Sequence, residues 1–118
     1  MMRPALLATA ALAMLAGCAT PAKPLYLWEG YPRNVYQSLK GDGKSPSEQL
    51  VELQAQAEKA RATGAALPPG FRAHMGLVYV RLGRDDEARQ MLEAEKTAFP
   101  ESTQYIDFVL NSMGKKKS

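Results

Sequence analysis

Small and apolar residues recur at helical spacing from Pro69 to Pro100, and this pattern constrains the fold more than any other stretch. Gly76 and Ala88 have little or no side chain, so two helices can cross closely where these residues meet. Tyr79 is large enough to fill the space between the helices, and Gly83 can adopt the backbone conformation of a tight turn. The spacing therefore predicts a helical hairpin that turns at Gly83.

The same positions resemble a tetratricopeptide repeat, a two-helix unit of about 34 residues. The residues that carry this resemblance are Met75, Gly76, Tyr79, Gly83, Ala88, Leu92 and Pro100. Arg72 stands where the repeat has a large aromatic residue, although Phe71 can supply that bulk, and Glu95 stands where the repeat has alanine. Because one repeat cannot cover its own apolar face, we expect flanking helices to cover it.

Three flanking helices are predicted from apolar periodicity and from residues that begin and end helices. Ser45 and Pro46 begin one of them, and its apolar stripe contains Leu50, Leu53, Ala57 and Ala60. The predicted bounds are 32–40, ended by Gly41; 46–63, ended by Gly64; and 102–113, ended by Gly114. The sequence therefore predicts a small all-α domain, a tetratricopeptide-like hairpin with flanking helices.

The stretch from Leu25 to Tyr31 is the most aromatic part of the chain. Its alternation suits a short strand, yet no second strand pattern is present to pair with it. We expect an extended segment that packs on the helices. Its aromatic residues are either a ligand platform around Trp28 or a hydrophobic plug over the core.

Residues 1–17 have the composition of a secretory signal peptide. Arg3 gives a positive start, and the apolar run from Ala5 to Leu15 is shorter than the roughly 20 apolar residues that span a bilayer. A positive start, an apolar centre of about 7–15 residues and small residues at the end are typical of such a signal. We therefore expect this segment to be removed.

The sequence Leu15-Ala16-Gly17-Cys18 at the end of this run resembles the bacterial lipobox. The resemblance implies that Leu15, Ala16 and Gly17 are recognised by the signal peptidase and that Cys18 receives lipid. Several acyl chains on one residue hold a protein firmly at a membrane. Ala19 stands where aspartate favours the inner membrane, so the resemblance implies the periplasmic face of the outer membrane.

The expected organisation is a signal peptide at 1–17, a lipidated tether at 18–24, a helical domain at 25–114 and a basic tail at 115–118. With the sole cysteine used for lipid, no disulfide is expected, so the fold must rest on its apolar core. The formal net charge of +3 does not indicate a nucleic-acid partner.

The sequence offers no arrangement typical of an enzyme. His74 is the only histidine, and no suitably placed serine, cysteine or second histidine accompanies it. Asp85, Asp86 and Glu87 suit the positive end of a helix dipole better than a metal site, because neighbours in sequence on a helix point in different directions. We therefore expect no catalytic residues, cofactor or metal.

Three segments are similar to the DUF4810 family of small lipoproteins: 25–31 (LYLWEGY), 36–40 (YQSLK) and 67–79 (LPPGFRAHMGLVY), followed by Gly83. The resemblance implies a lipoprotein of the outer membrane that faces the periplasm. It also implies partners among other small envelope lipoproteins, including ones similar to the curli secretion channel. It supplies no catalytic residues.

The leading functional hypothesis is a non-enzymatic adaptor. In tetratricopeptide repeats the first helix lines the concave surface, so the resemblance places Ala73, Leu77, Val80 and Arg81 there. This apolar strip with one positive charge could bind an amphipathic helix or an extended peptide, unless the 46–63 helix covers it. The alternatives are a structural protein that contacts peptidoglycan through its lysine tail, and an enzyme subunit that uses His74 and Tyr79.

Overall fold

The computed structural model describes residues 24–41 and 43–115, and the regular structure of this part of the chain is helical. The helices are α1 (Tyr31–Lys40), α2 (Pro46–Thr63), α3 (Phe71–Arg81), α4 (Asp85–Ala98) and α5 (Thr103–Lys115), with a 3₁₀ turn at Pro100–Ser102. The prediction of a small all-α domain is confirmed. The predicted signal peptide, the lipobox with Cys18 and the last lysines of the tail lie outside the described residues.

The bounds of the flanking helices follow from local capping interactions. At the start of α2, the Ser45 hydroxyl accepts from the Glu48 N–H at 3.3 Å, and the Glu48 carboxylate accepts from the Ser45 N–H at 2.8 Å. Gly64 ends this helix with a φ of +68°, and Gly41 ends α1 with a φ of +74°. The last helix differs from the prediction, because α5 continues through Gly114 to Lys115.

The α3–α4 hairpin is held together by a close helix contact at Gly76. A Cβ atom added there would lie 3.0 Å from Leu92 Cγ and 3.3 Å from the Ala88 carbonyl oxygen. Gly83 turns the chain between the two helices with a φ of +72°. The predicted hairpin is therefore present, with its small residues where the helices cross.

The core lies between this hairpin and the helices on either side of it. The fully buried apolar side chains, which are at most 1% exposed, are Leu53, Phe71, Val78, Ala88, Leu92 and Ile106. The predicted stripe of α2 faces this core, since Leu50 and Ala60 are buried and Ala57 is half-buried. None of the helices in the described chain is long and apolar enough to cross a membrane.

Helix α1 buries a polar residue and leaves two of its apolar residues exposed. Leu39 is 80% exposed and Tyr36 is 62% exposed, whereas Asn34 is only 2% exposed. The amide of Asn34 hydrogen-bonds to residues of α2 and α3, so polar contacts help to orient α1, together with the packing of Tyr31 on Phe71. The outer apolar face of α1 is left at the surface.

The extended segment before α1 forms backbone hydrogen bonds with the loop between α2 and α3, which the sequence did not predict. Tyr26 and Ala66 form an isolated parallel bridge, in which the Leu27 N–H donates to the Ala66 carbonyl at 2.9 Å. Ala66 lies in the loop between α2 and α3. The extended segment is therefore attached to the helical domain by main-chain hydrogen bonds.

The aromatic residues of this segment divide into two groups. The Tyr26 ring lies 6.2 Å from Phe99, and the Tyr31 ring lies 5.5 Å from the fully buried Phe71. Tyr31 therefore packs against the core, in agreement with the plug interpretation, while Tyr26 packs on the half-buried Phe99. Trp28 is 48% exposed and presents part of its ring to solvent.

Candidate protein-binding groove

Three of the four residues predicted on the α3 surface strip share one surface cavity of about 240 Å³. Ala73, Leu77 and Arg81 form its α3 side. The walls come from other helices: Val35, Ser38 and Leu39 from α1, and Tyr105 from α5. Tyr31, Gly70 and His74 complete the lining.

The fourth predicted residue, Val80, lines a neighbouring cavity of about 160 Å³. Leu77 lines both cavities, and the second is completed by Val109, Ser112 and Met113 of α5. The two cavities therefore lie next to each other along α3, on either side of Leu77. We call the lining of these two cavities the α3 groove.

Helix α2 lines neither cavity of the α3 groove. It packs elsewhere on the hairpin, where Leu50 and Leu53 join the core and Gln54 donates to the Tyr79 hydroxyl at 3.3 Å. Helices α1 and α5 flank the strip, while the groove between them opens to the surface.

The α3 groove is apolar apart from a few polar groups, and among the residues that the structure describes no carboxylate lines it. Arg81 is the one charged residue of this lining within 24–41 and 43–115, and its guanidinium donates to the Ser38 hydroxyl. At the rim, Leu39 is 80% exposed and Tyr105 is 51% exposed. Large apolar side chains with this exposure at the edge of a groove are typical of a surface that binds a partner.

A hydrogen-bond network determines which nitrogen of the His74 ring carries the proton. The Asn34 side-chain NH₂ donates to Glu52 at 3.3 Å and towards the Gln49 carbonyl at 3.5 Å, which turns its oxygen towards His74. That oxygen lies 2.8 Å from His74 Nε2 and can only accept, so we assign the imidazole proton to Nε2. Burial and then the nearby Arg81 charge lower the pKa of His74 to about 4, so the ring is neutral at pH 7.

Glu95, which departs from the repeat pattern, stabilises the start of α3. Its side chain is 2% exposed, and Oε1 accepts from the Gly70 N–H at 2.6 Å. A carboxylate at this end of a helix is favoured by the helix dipole. Burial, and then the negative charge of Glu95, raise the pKa of Tyr31. Glu95 therefore positions the helix that carries the groove, a role that its place in the sequence did not reveal.

A second, charged cleft of about 340 Å³ lies between α1 and α2. Lys44 pairs with Glu52 and Lys59 pairs with Glu29 across it. These ion pairs neutralise much of the charge of the cleft from within.

The acidic residues at the start of α4 make local contacts. Glu87 accepts from the Arg84 guanidinium at 2.9 Å, and this hydrogen bond lowers the pKa of the carboxyl. In the described part of the chain, no three or more histidine, cysteine or acidic side chains are arranged to hold a metal ion.

Sequence reasoning identified the α3 side of the groove but missed its walls. Val35 and Leu39 of α1 and Tyr105 of α5 line the groove, and none of them was among the residues predicted for this surface. Only the packing of α1 and α5 shows that these side chains border an open groove.

Residues 25–109 match the family model described as Domain of unknown function (DUF4810). This match covers more than two thirds of the chain, so the protein belongs to the DUF4810 family. No curated protein and no solved structure matches the chain.

Proposed function

We propose that this protein is a non-enzymatic adaptor, held by lipid on Cys18 at the periplasmic face of the outer membrane, that binds a protein segment in the α3 groove. The observation that carries the binding role is the groove itself. It is open and apolar, its described lining contains no carboxylate, and the exposed residues Leu39 and Tyr105 lie at its rim.

The chemistry of the groove favours an amphipathic helix or an extended peptide as the ligand. Apolar side chains of such a segment would occupy the space around Leu77, which lines both cavities. An acidic group of the ligand would pair with Arg81, since no acidic residue of the described groove lining already does so. The family resemblance supports other envelope lipoproteins as partners, including ones similar to the curli secretion channel.

The tetratricopeptide-like character of the hairpin supports this role. Gly76 and Ala88 lie where α3 and α4 meet, as in the repeat pattern, and the residues expected on the concave surface line the groove. A single hairpin supplies a short surface, and α1 and α5 extend it with walls of their own.

The lipid anchor is supported by the sequence alone. The apolar run up to Leu15 is followed directly by Ala16, Gly17 and Cys18, which matches the lipobox at every position. Ala19 favours the outer membrane. Intact mass measurement of the protein from its own cells should show acyl chains on Cys18, and Cys18→Ser should remove both the added mass and the membrane association.

The binding role is tested by crosslinking the lipoprotein in its own cells and purifying it through a C-terminal tag. We expect one dominant protein partner, which Leu39→Glu and Leu77→Glu should each remove because a charge replaces apolar contact in the groove. Val51→Glu is the matched control, since Val51 is 65% exposed on α2 and lies outside the groove. Unchanged partner recovery with both groove variants, in folded protein, would refute the proposal.

A further inference from the structure

The segment that leads into α1 presents two large apolar side chains to the surface. Leu25 is 71% exposed and Trp28 is 48% exposed, although the backbone between them is fixed to the domain through Ala66. Neither residue lines the α3 groove. The proposed binding of a partner in the α3 groove therefore does not explain why Leu25 and Trp28 are exposed.

The Trp28 ring is held in place by other aromatic rings. Its centroid lies 6.2 Å from that of Tyr26 and 6.1 Å from that of Tyr31. Tyr26 packs on the half-buried Phe99, and Tyr31 packs on the core residue Phe71. The indole is thus supported from within the domain while nearly half of its residue surface remains accessible. Tryptophan held in this way is suited to the boundary between lipid and water, where its apolar ring and its polar N–H are both satisfied.

The position of this segment along the chain indicates what it contacts. Leu25 follows Cys18 by seven residues, and seven residues span at most about 25 Å when fully extended. A lipid on Cys18 would therefore keep Leu25 within that distance of the bilayer surface, and Trp28, ten residues from Cys18, within about 36 Å. Lys23 and Arg33, on either side of the segment in sequence, would be attracted to anionic headgroups.

From these observations we propose that Leu25 and Trp28 seat the domain on the membrane, with Trp28 at the level of the lipid headgroups. This inference rests on the lipid anchor of the proposed function and adds an orientation to it. In this orientation, the edge of the domain that carries Leu25 and Trp28 faces lipid. The lining of the α3 groove includes neither of these residues, so the groove can still bind a protein partner.

Trp28 is the only tryptophan of the chain, so its fluorescence reports on this contact without labelling. The native lipoprotein would be reconstituted into vesicles of phosphatidylethanolamine and phosphatidylglycerol, with and without a phospholipid brominated near the headgroup. We expect the emission to shift to shorter wavelength, to be quenched by the brominated lipid and to be protected from aqueous acrylamide.

Two variants test whether the side chains of this segment cause the contact. Leu25→Asp should reduce quenching by the brominated lipid, because a charge replaces an apolar side chain at the surface. Val51→Asp, at a similarly exposed position on α2, should leave the quenching unchanged. Circular dichroism should show the same helix content in both variants, since both positions are exposed.

The outcomes separate the failure of this inference from the failure of the anchor. A protein that floats with the vesicles but has unquenched, acrylamide-accessible Trp28 would overturn the seating and leave the anchor intact. A protein with no lipid on Cys18 would overturn both, because the limit on the distance between Trp28 and the bilayer would no longer apply.

Discussion

The protonation of His74 should make the stability of the fold depend on pH. The folded protein holds this ring with a pKa of about 4, while the ordinary value is 6.5, because the ring is largely buried and lies near Arg81. Between these values the unfolded chain binds a proton that the folded protein does not. The contribution of His74 to stability is therefore complete above about pH 6.5 and is lost as the pH falls through about 4.

The size of this effect follows from the difference between the two pKa values. A difference of about 2.5 pH units corresponds to at most about 3.4 kcal/mol. Because the ring is partly exposed at the groove and solvent screens its charge, we expect a smaller loss of about 1–2 kcal/mol between pH 7 and pH 4.

The assay is urea unfolding followed by circular dichroism from pH 7 to pH 4, on the chain from residue 19 and on its His74→Gln variant. Glutamine keeps an N–H donor for Asn34 but does not titrate. The difference in free energy of unfolding between the two proteins should shrink on acidification by the amount given above. A constant difference across this pH range would refute the assignment of a neutral, buried His74.

Three further predictions concern the fold, each measured by urea unfolding. Leu92→Ala removes a fully buried side chain and should cost about 2–5 kcal/mol, whereas Phe108→Ala, at a residue that is 69% exposed, should change stability by less than about 0.5 kcal/mol. Ser45→Ala removes the side-chain cap of α2 and should cost about 1 kcal/mol; an unchanged midpoint would contradict the capping role. Gly83→Ala should destabilise the hairpin by about 1–2 kcal/mol because of its positive φ. Gly114→Ala, on the open side of α5, should instead stabilise by about 0.5–1 kcal/mol, and equal effects at these two glycines would contradict the account.

The helices of this protein could be predicted from sequence because their ends depend on local interactions. The cap at Ser45 and the left-handed glycines at 41 and 64 act within one helical turn. The α3–α4 hairpin could also be predicted from sequence, because a close crossing of the two helices requires small residues such as Gly76 and Ala88. The predicted end of the last helix, at residue 113, was wrong because Gly114 is part of the helix, which continues to Lys115.

The face that α1 buries could not be predicted in the same way. Its apolar residue Leu39 is exposed, whereas the polar Asn34 is buried because residues far along the chain satisfy its amide. Glu95 is a similar case, since its partner is the Gly70 N–H. Hydrogen bonds between distant segments leave no periodic signal in the sequence. In this fold they help to position α1, which forms one wall of the groove, and the start of α3.

The most direct test of the proposed adaptor is site-specific photocrosslinking in the native cells. A photoreactive amino acid would replace Leu39 at the rim of the α3 groove or Val51 on α2, and the crosslinked proteins would be identified by mass spectrometry. We expect a single protein partner from position 39, absent from position 51 and abolished by adding Leu77→Glu. Crosslinks that are the same from both positions, or that persist with Leu77→Glu, would contradict a binding role for the groove.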